Sequence, residues 1–319
     1  MKTLADIKKI AVLGAGTMGP GIAQTYAMGG YEVTMWTRSE STREKAIASL
    51  DAQLDTFEEE GLLTEAKDVI MGRISFALTV EECVAGADFI QETIVEKKDA
   101  KEVLYAQLAE CVPEDVIIAS NTSALNIFEV VPEKLLPQML ICHWYAPPHV
   151  IPLVEVVKSE QAPQEYADIA VTMLNNCGKT AVFMKKFIRG YIVNRLQQCL
   201  NQEVFFLLDG GYCDAEAIDL AAKASFIPRA CVLGLCKRID FGGVDMTFNN
   251  FKNKSYAAPQ WDNPPATLQN LVDANKLGIK TGEGFYSYEG VDMEALKAKR
   301  DKQLFEIFAV TKKFMADPV

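Results

Sequence analysis

The chain has 319 residues, of which 49% are hydrophobic and 24% charged, and a formal net charge of −11. This is the composition of a globular chain long enough for two domains, and its charge argues against nucleic acid and anionic membrane surfaces as partners, since either would repel most of it. No apolar run has the length of a bilayer-spanning helix, and the polar opening Met1-Lys2-Thr3-Leu4-Ala5-Asp6-Ile7-Lys8-Lys9 leads straight into a strand-like run, so no signal peptide and a cytoplasmic location are expected.

The first element is that run, Ile10-Ala11-Val12-Leu13, followed by Gly14-Ala15-Gly16-Thr17-Met18-Gly19, a helix-like segment and a second strand-like run, Tyr31 to Trp36. Strand, tight turn, helix and strand in this order predict a dinucleotide site. Gly14 allows the sharp turn, Gly16 lets the backbone of the loop, with Thr17 and Met18, approach a pyrophosphate, and Gly19 lets the helix pack close to the strand. Where an NAD site usually carries a carboxylate for the ribose hydroxyls, this chain has Thr37, followed by Arg38 and Ser39. A guanidinium beside hydroxyls suits a 2′-phosphate, so NADP(H) is expected; NAD(H) is the alternative if Arg38 is a solvated surface residue and only Thr37 meets the ribose.

Ser41 to Ile70 is longer than one crossover helix and rich in Ala, Leu and Glu at helical spacing, which predicts an inserted helical pair. Further strand-like runs at 88–91, 116–119, 139–143, 152–157 and 180–184 alternate with helical or loop segments. The fold class is therefore α/β, a Rossmann-type doubly wound sheet over residues 1–186. Beyond Lys186 the strand signals vanish. Helical patterns at 191–208, 214–223 and 227–238 predict an all-helical C-terminal domain over 187–319, with an irregular loop from Asn249 to Pro265. Eight cysteines, at 83, 111, 142, 177, 199, 213, 231 and 236, include no C-x-x-C pair, so reduced thiols are expected and neither a disulfide framework nor a metal site.

Hydride chemistry on an alcohol needs a group that removes or supplies the hydroxyl proton, and histidine is the natural choice at neutral pH. Of the two histidines, His143 closes the run Met139-Leu140-Ile141-Cys142, at the strand end where open α/β sheets bind ligands; His149, past Pro147-Pro148, reads as a loop residue. Cys142 points to the opposite face of the strand and is read as packing. Glu155, embedded in Leu153-Val154-Glu155-Val156-Val157, is costly unless paired, and His143 is the nearest candidate across a turn. The other possibility is an outward-facing glutamate beside a buried structural histidine.

Over nearly its whole length the chain resembles the 3-hydroxyacyl-CoA dehydrogenase family. The matching segments, in order, are the glycine loop 14–19, Glu92-Thr93-Ile94-Val95-Glu96 with Lys101, Ser120-Asn121-Thr122-Ser123, His143-Trp144-Tyr145-Ala146-Pro147, Leu153-Val154-Glu155-Val156, Gly190-Tyr191-Ile192-Val193-Asn194-Arg195, and Leu277 to Tyr286. The resemblance implies that His143 is the general base, oriented by Glu155, and that Ser123 and Asn194 hold the substrate oxygen. It also implies cofactor contacts from Asn121 and from Glu96 and Lys101, which look like the pair flanking the nicotinamide ribose; an exposed helical ion pair is the simpler account of those two. A homodimer through the C-terminal domain is implied as well.

Three departures stand out. Ala146 replaces a typical Asn, Ser225 to Val232 replaces a Met-Gly-Pro segment, and the inserted helix carries Asp51, Asp55, Glu58, Glu59 and Glu60 where acyl-CoA members tend to have lysines. The expected function is thus an oxidoreductase moving hydride between NADP(H), or NAD(H), and the hydroxyl or keto group of a 3-hydroxy acid or its CoA thioester. The alternative is a non-catalytic, crystallin-like or cofactor-sensing protein on the same fold, against which the joint presence of His143, Glu155, Ser123 and Asn194 argues.

Overall fold

Apolar runs that bury on both faces become sheet strands once helices cover each side. The structure, a computed structural model, describes residues 2–254, 259 and 261–318. Contacts divide the chain into two units, Met1–Ile192 and Val193–Val319.

The first unit is built on one eight-stranded sheet: β1 Lys9–Leu13, β2 Glu32–Trp36, β3 Ile74–Ala77, β4 Phe89–Glu92, β5 Ile117–Ser120, β6 Met139–Trp144, β7 Leu153–Lys158 and β8 Thr180–Met184, in spatial order 3-2-1-4-5-6-7-8. Its helices are α1 Gly19–Met28, α2 Glu40–Glu59, α3 Lys67–Gly72, α4 Val80–Val84, α5 Lys98–Cys111 and α6 Gln164–Asn176. Side chains alternate along each strand, which gives two cores. Val12, Met35, Phe89, Leu140, Cys142 and Val156 pack under α1, α2, α3 and α6, while Leu13, Ile90, Ile118, Ile141 and Val157 pack under α4 and α5. Cys142 lies in the first core, where burial raises its thiol pKa, and His143 points to the other side.

The sheet is mixed where the runs alone suggest uninterrupted crossovers. The connection 145–152 is too short for a crossover helix, so β7 returns antiparallel to β6; α6 then makes β8 parallel to β7. The short edge strand β3, parallel to β2, has no expected counterpart. The inserted helical pair consists of the long α2 and the short α3.

The second unit comprises α7 Val193–Asp209, α8 Ala215–Ala221, α9 Ile227–Leu233, α10 Leu235–Gly242, α11 Val244–Lys252, α12 Ala266–Asp273 and α13 Met293–Ala316. The helix expected over 227–238 is broken at Gly234, whose φ of +69° ends α9. The loop expected from Asn249 starts later, because α11 runs to Lys252; residues 255–258 and 260 of that stretch lie outside the described ones. None of the described residues from Val193 onward is buried.

Candidate active site

The glycine loop occupies the point where the strand order reverses, between β1 and β4, so that the connections leaving these two strands diverge and open a crevice. Gly14 has φ +122°, and a Cβ there would stand 2.8 Å from the Thr93 carbonyl oxygen. At Gly19 a Cβ would come within 2.0 Å of the Gly14 carbonyl oxygen, so the first turn of α1 can close on the loop only with glycine. A Cβ on Gly16 would meet nothing within 4 Å: the space over this residue is open, and Gly16 and Thr17 are exposed. Met18 precedes the helix, whose free backbone N–H groups suit a pyrophosphate.

At the end of β2, Thr37 is buried and its hydroxyl has no hydrogen-bond partner among the described residues. An orphaned buried hydroxyl beside the crevice is what a ribose contact would satisfy, so the residues fit a nicotinamide dinucleotide. Arg38 is exposed and in no ion pair among the described residues. Ser39 is committed in part to the helix, accepting a hydrogen bond from the Thr42 N–H as the N-cap of α2.

His143 and Glu155 are directly opposite each other on β6 and β7. With Ile141 and Val157 facing the second core, the two-residue period turns both groups to that same side. The pair is buried, with Nδ1 3.0 Å from Glu155 Oε2. Oε1 accepts the Ile192 N–H at 2.9 Å, and Oε2 also accepts the Tyr145 hydroxyl at 2.7 Å. A carboxylate that meets several donors is ionised and acceptor-only, so Nδ1 carries hydrogen and Nε2 is the nitrogen left to exchange a proton.

Tyr191 stacks on the imidazole with centroids 4.5 Å apart, and Tyr145 flanks it at 4.6 Å. The Tyr191 φ of 49° is unusual for a bulky side chain. It is held by the hydroxyl, which donates to the Thr122 carbonyl at 2.7 Å; burial and the Glu96 and Glu155 carboxylates raise its pKa, so it remains a donor. Neither tyrosine was identifiable from spacing, because their directions depend on turns.

A second buried carboxylate, Glu92, lies at the rim on β4. It receives Lys101 Nζ on both oxygens, at 2.6 and 2.7 Å, along with Ser120 Oγ, Tyr105 Oη and the Ile94 N–H. Lys101 has no exposed side-chain surface, which corrects the simpler account of Glu96 and Lys101 as an exposed helical ion pair. In the sequence Glu92 stands out only as the start of a matched segment and Lys101 is expected beside Glu96, although Glu92 carries the same signal as Glu155, a carboxylate in an apolar strand. Lys101 also stands 3.5 Å from Glu96. Glu96 in turn accepts hydrogen bonds from the Thr122 hydroxyl and the N–H groups of Ser123 and Ala124. Burial pushes the Glu96 carboxyl up, but the Thr122 hydroxyl, these backbone donors and Lys101 outweigh it and hold it below its ordinary value.

Ser123 is exposed on this clamped turn. Asn121 bridges Thr93 and the Trp144 N–H, tying the ends of β4 and β6 together, so its amide is engaged within the protein. Asn194 lies in the first turn of α7, in the second unit, and is half-buried. Among the described residues no group of three His, Cys, Asp or Glu side chains is placed to hold a metal ion.

Residues 9–187 match the NAD binding domain of 3-hydroxyacyl-CoA dehydrogenase, and residues 190–288 match its C-terminal domain. The chain is 30% identical over 305 residues to 5-formyl-3-hydroxy-2-methylpyridine 4-carboxylate 5-dehydrogenase of Mesorhizobium japonicum, covering 94% of this chain and 97% of that one. It is 34% identical to a probable 3-hydroxybutyryl-CoA dehydrogenase of Bacillus subtilis, over 89% of this chain and 98% of the relative. A crystal structure of a 5-formyl-3-hydroxy-2-methylpyridine 4-carboxylic acid 5-dehydrogenase, described as an NAD+-dependent dismutase, superposes with a TM-score of 0.85 at 27% identity, covering 96% of this chain and 99% of that one. With an NAD-binding half and a C-terminal half both matched in order, the chain belongs to the 3-hydroxyacyl-CoA dehydrogenase family and is an oxidoreductase.

Proposed function

We propose that the chain interconverts a secondary hydroxyl and a ketone β to a carboxylate, with His143 as the proton acceptor and NADP(H) as the preferred cofactor. The observation that carries this reading is the buried His143–Glu155 pair at the strand ends. A bound nicotinamide supplies the acceptor or donor of the hydride. His143 takes the hydroxyl proton at Nε2 during oxidation and returns it during reduction. Glu155 fixes the ring through Nδ1 and compensates the imidazolium charge. Ser123 is assigned to hold the reacting oxygen, which aligns the carbinol carbon with the cofactor, and the role that the family resemblance gives Asn194 is tested by turnover of Asn194→Ala. Gly14, Gly16, Thr17, Met18 and Gly19 hold the pyrophosphate, Glu96, Lys101 and Asn121 order the nicotinamide side, and the intact dyad favours turnover over a crystallin-like role.

Support for NADP(H) comes from the end of β2. Thr37 stands where an NAD site usually carries a carboxylate, and the nearest one, Glu40 in the first turn of α2, is paired with Arg43 at 3.3 Å; the Arg38 guanidinium, in no ion pair among the described residues, and the α2 N-terminus with Ser39 attract a 2′-phosphate, and Thr37 brings a hydroxyl. NAD(H) is the reading if Thr37 alone meets the ribose.

The substrate is a small 3-hydroxy acid. The exposed face of α2 bears Glu58 and Glu59, and Lys67 is already held by Asp51 at 2.7 Å and by Asp55, so this surface repels the phosphates of CoA. The M. japonicum relative is named for a substrate without CoA. The test is a panel of small 3-hydroxy acids and 3-hydroxyacyl-CoA thioesters, each with NADP+ and NAD+, followed by absorbance of the reduced nicotinamide. Expected is turnover of free acids with NADP+ favoured at least tenfold in kcat/KM. Activity confined to thioesters sinks the substrate assignment, and a preference for NAD+ sinks the cofactor assignment.

The second unit is assigned as a dimerisation domain. Helices that bury no residue among those described, and that expose Leu196, Leu200, Phe241, Phe248 and Phe251, lack the covered core an isolated domain needs. Sedimentation velocity should give twice the mass of the 35.2 kDa chain. A monomer at micromolar concentration refutes this assignment.

A further inference from the structure

We propose that Tyr145 is a positioning residue of the dyad: by donating to the same Glu155 oxygen that receives His143, it sets the pH at which the imidazole exchanges its proton. The proposal rests on the reading of His143 as the base.

The geometry carries the argument. Glu155 Oε1 is occupied by the Ile192 N–H, so the charge available to the imidazole resides on Oε2. That oxygen is shared between His143 Nδ1 at 3.0 Å and the Tyr145 hydroxyl at 2.7 Å, and the shorter contact belongs to the tyrosine. Hydrogen bonds to an ionised acceptor are roughly twice as strong as neutral ones, and each donor draws charge from the oxygen it binds. A carboxylate so engaged stabilises an imidazolium less than a carboxylate with a single partner. The neutral ring, which is the form that accepts a substrate proton, is therefore reached at lower pH when Tyr145 is present.

The other groups around the ring leave this effect visible. β8 presents apolar Val182 beside Glu155. On β6 the neighbouring Cys142 faces the opposite core. Tyr191 stacks on the ring but its hydroxyl goes to the Thr122 carbonyl, and the next carboxylate, Glu96, is bound by Thr122, backbone donors and Lys101. Tyr145 thus contributes in two ways: its ring flanks the imidazole at 4.6 Å, and its hydroxyl tempers the carboxylate. Phenylalanine keeps the first contribution and removes the second.

The experiment is Tyr145→Phe in the full-length protein, with the imidazole Cε1–H resonance of His143 followed by NMR against pH. The chain has two histidines, so His149→Gln assigns the signal. The expected result is a titration midpoint displaced upward by about half a unit to one unit, the size of one ordinary net hydrogen bond. The acid limb of kcat/KM for alcohol oxidation should move with it, while cofactor affinity stays within about twofold. In a Glu155→Gln background the same substitution should displace nothing further. An unmoved or lowered midpoint overturns the proposal, as does a displacement that persists without the Glu155 carboxylate. The resonance reports on the ring whether or not the enzyme turns over, so a failure here is distinguishable from a failure of His143 as the base, which only turnover of a His143 variant can reveal.

Discussion

His143→Asn lowers kcat by about 10²- to 10⁴-fold, the range that general acid–base groups contribute, and leaves NADPH affinity within about twofold. The asymmetry follows from where the two functions reside. The elements assigned to the pyrophosphate and the adenosine ribose belong to the turn after β1 and the end of β2, whereas His143 is on β6, with β4 and β5 between. Asparagine can place an amide N–H near the position of Nδ1, but it has nothing in the place of Nε2 and no nitrogen that cycles between protonated and neutral forms near pH 7. Nicotinamide fluorescence enhancement measures the affinity, and absorbance of the reduced cofactor measures the rate. Turnover at the wild-type rate would remove His143 from the mechanism, and a parallel loss of cofactor binding would mean that the substitution had disturbed the sheet instead.

The largest effect on stability is expected at Glu92. Glu92→Leu strands the Lys101 ammonium, which has no exposed surface, and deprives Tyr105 and Ser120 of their acceptor. Removing one partner of a buried ion pair costs 3–5 kcal/mol as a rule; because Glu96 stays 3.5 Å from the lysine, the loss should fall at the low end, about 3 kcal/mol. The urea midpoint of the sheet unit, followed by tryptophan fluorescence, is the measurement. Adding Lys101→Met removes the stranded charge and should restore most of the loss, since an apolar pair of similar volume can replace a buried ion pair. A single variant within about 0.5 kcal/mol of wild type would mean that the pair contributes nothing. The same pair of variants tests the link to the substrate turn, because Lys101 also meets Glu96, which clamps Ser123.

Much of the first unit was legible in the sequence because its elements announce themselves chemically. Gly14, Gly16 and Gly19 are spaced for a turn that leaves no room for a Cβ at Gly14 and Gly19 and open space over Gly16, and a carboxylate in an apolar strand needs a partner, which leads from Glu155 to His143. β3 was not legible: four residues, Ile74-Ser75-Phe76-Ala77, are too few for a period to stand out beside a helical stretch. The reversal at β7 was available from the shortness of 145–152, but runs of apolar residues carry no direction. The contacts of Tyr145 and Tyr191 with the dyad lay beyond spacing arguments altogether, since one leaves a strand and the other sits in a left-handed turn. Glu92 and Lys101 were visible as types, and only coordinates reveal that they pair with each other at zero exposure.

The facing of His143 and Glu155 across two antiparallel strands has a consequence for how the reaction tolerates change. Both groups hang from a ladder whose side chains reverse face at every residue, so a slip of one position would not loosen their contact by degrees; it would send one of them through the sheet. Activity should therefore withstand substitutions that merely soften the surrounding packing and vanish abruptly with an insertion or deletion in β6 or β7, a threshold rather than a slope.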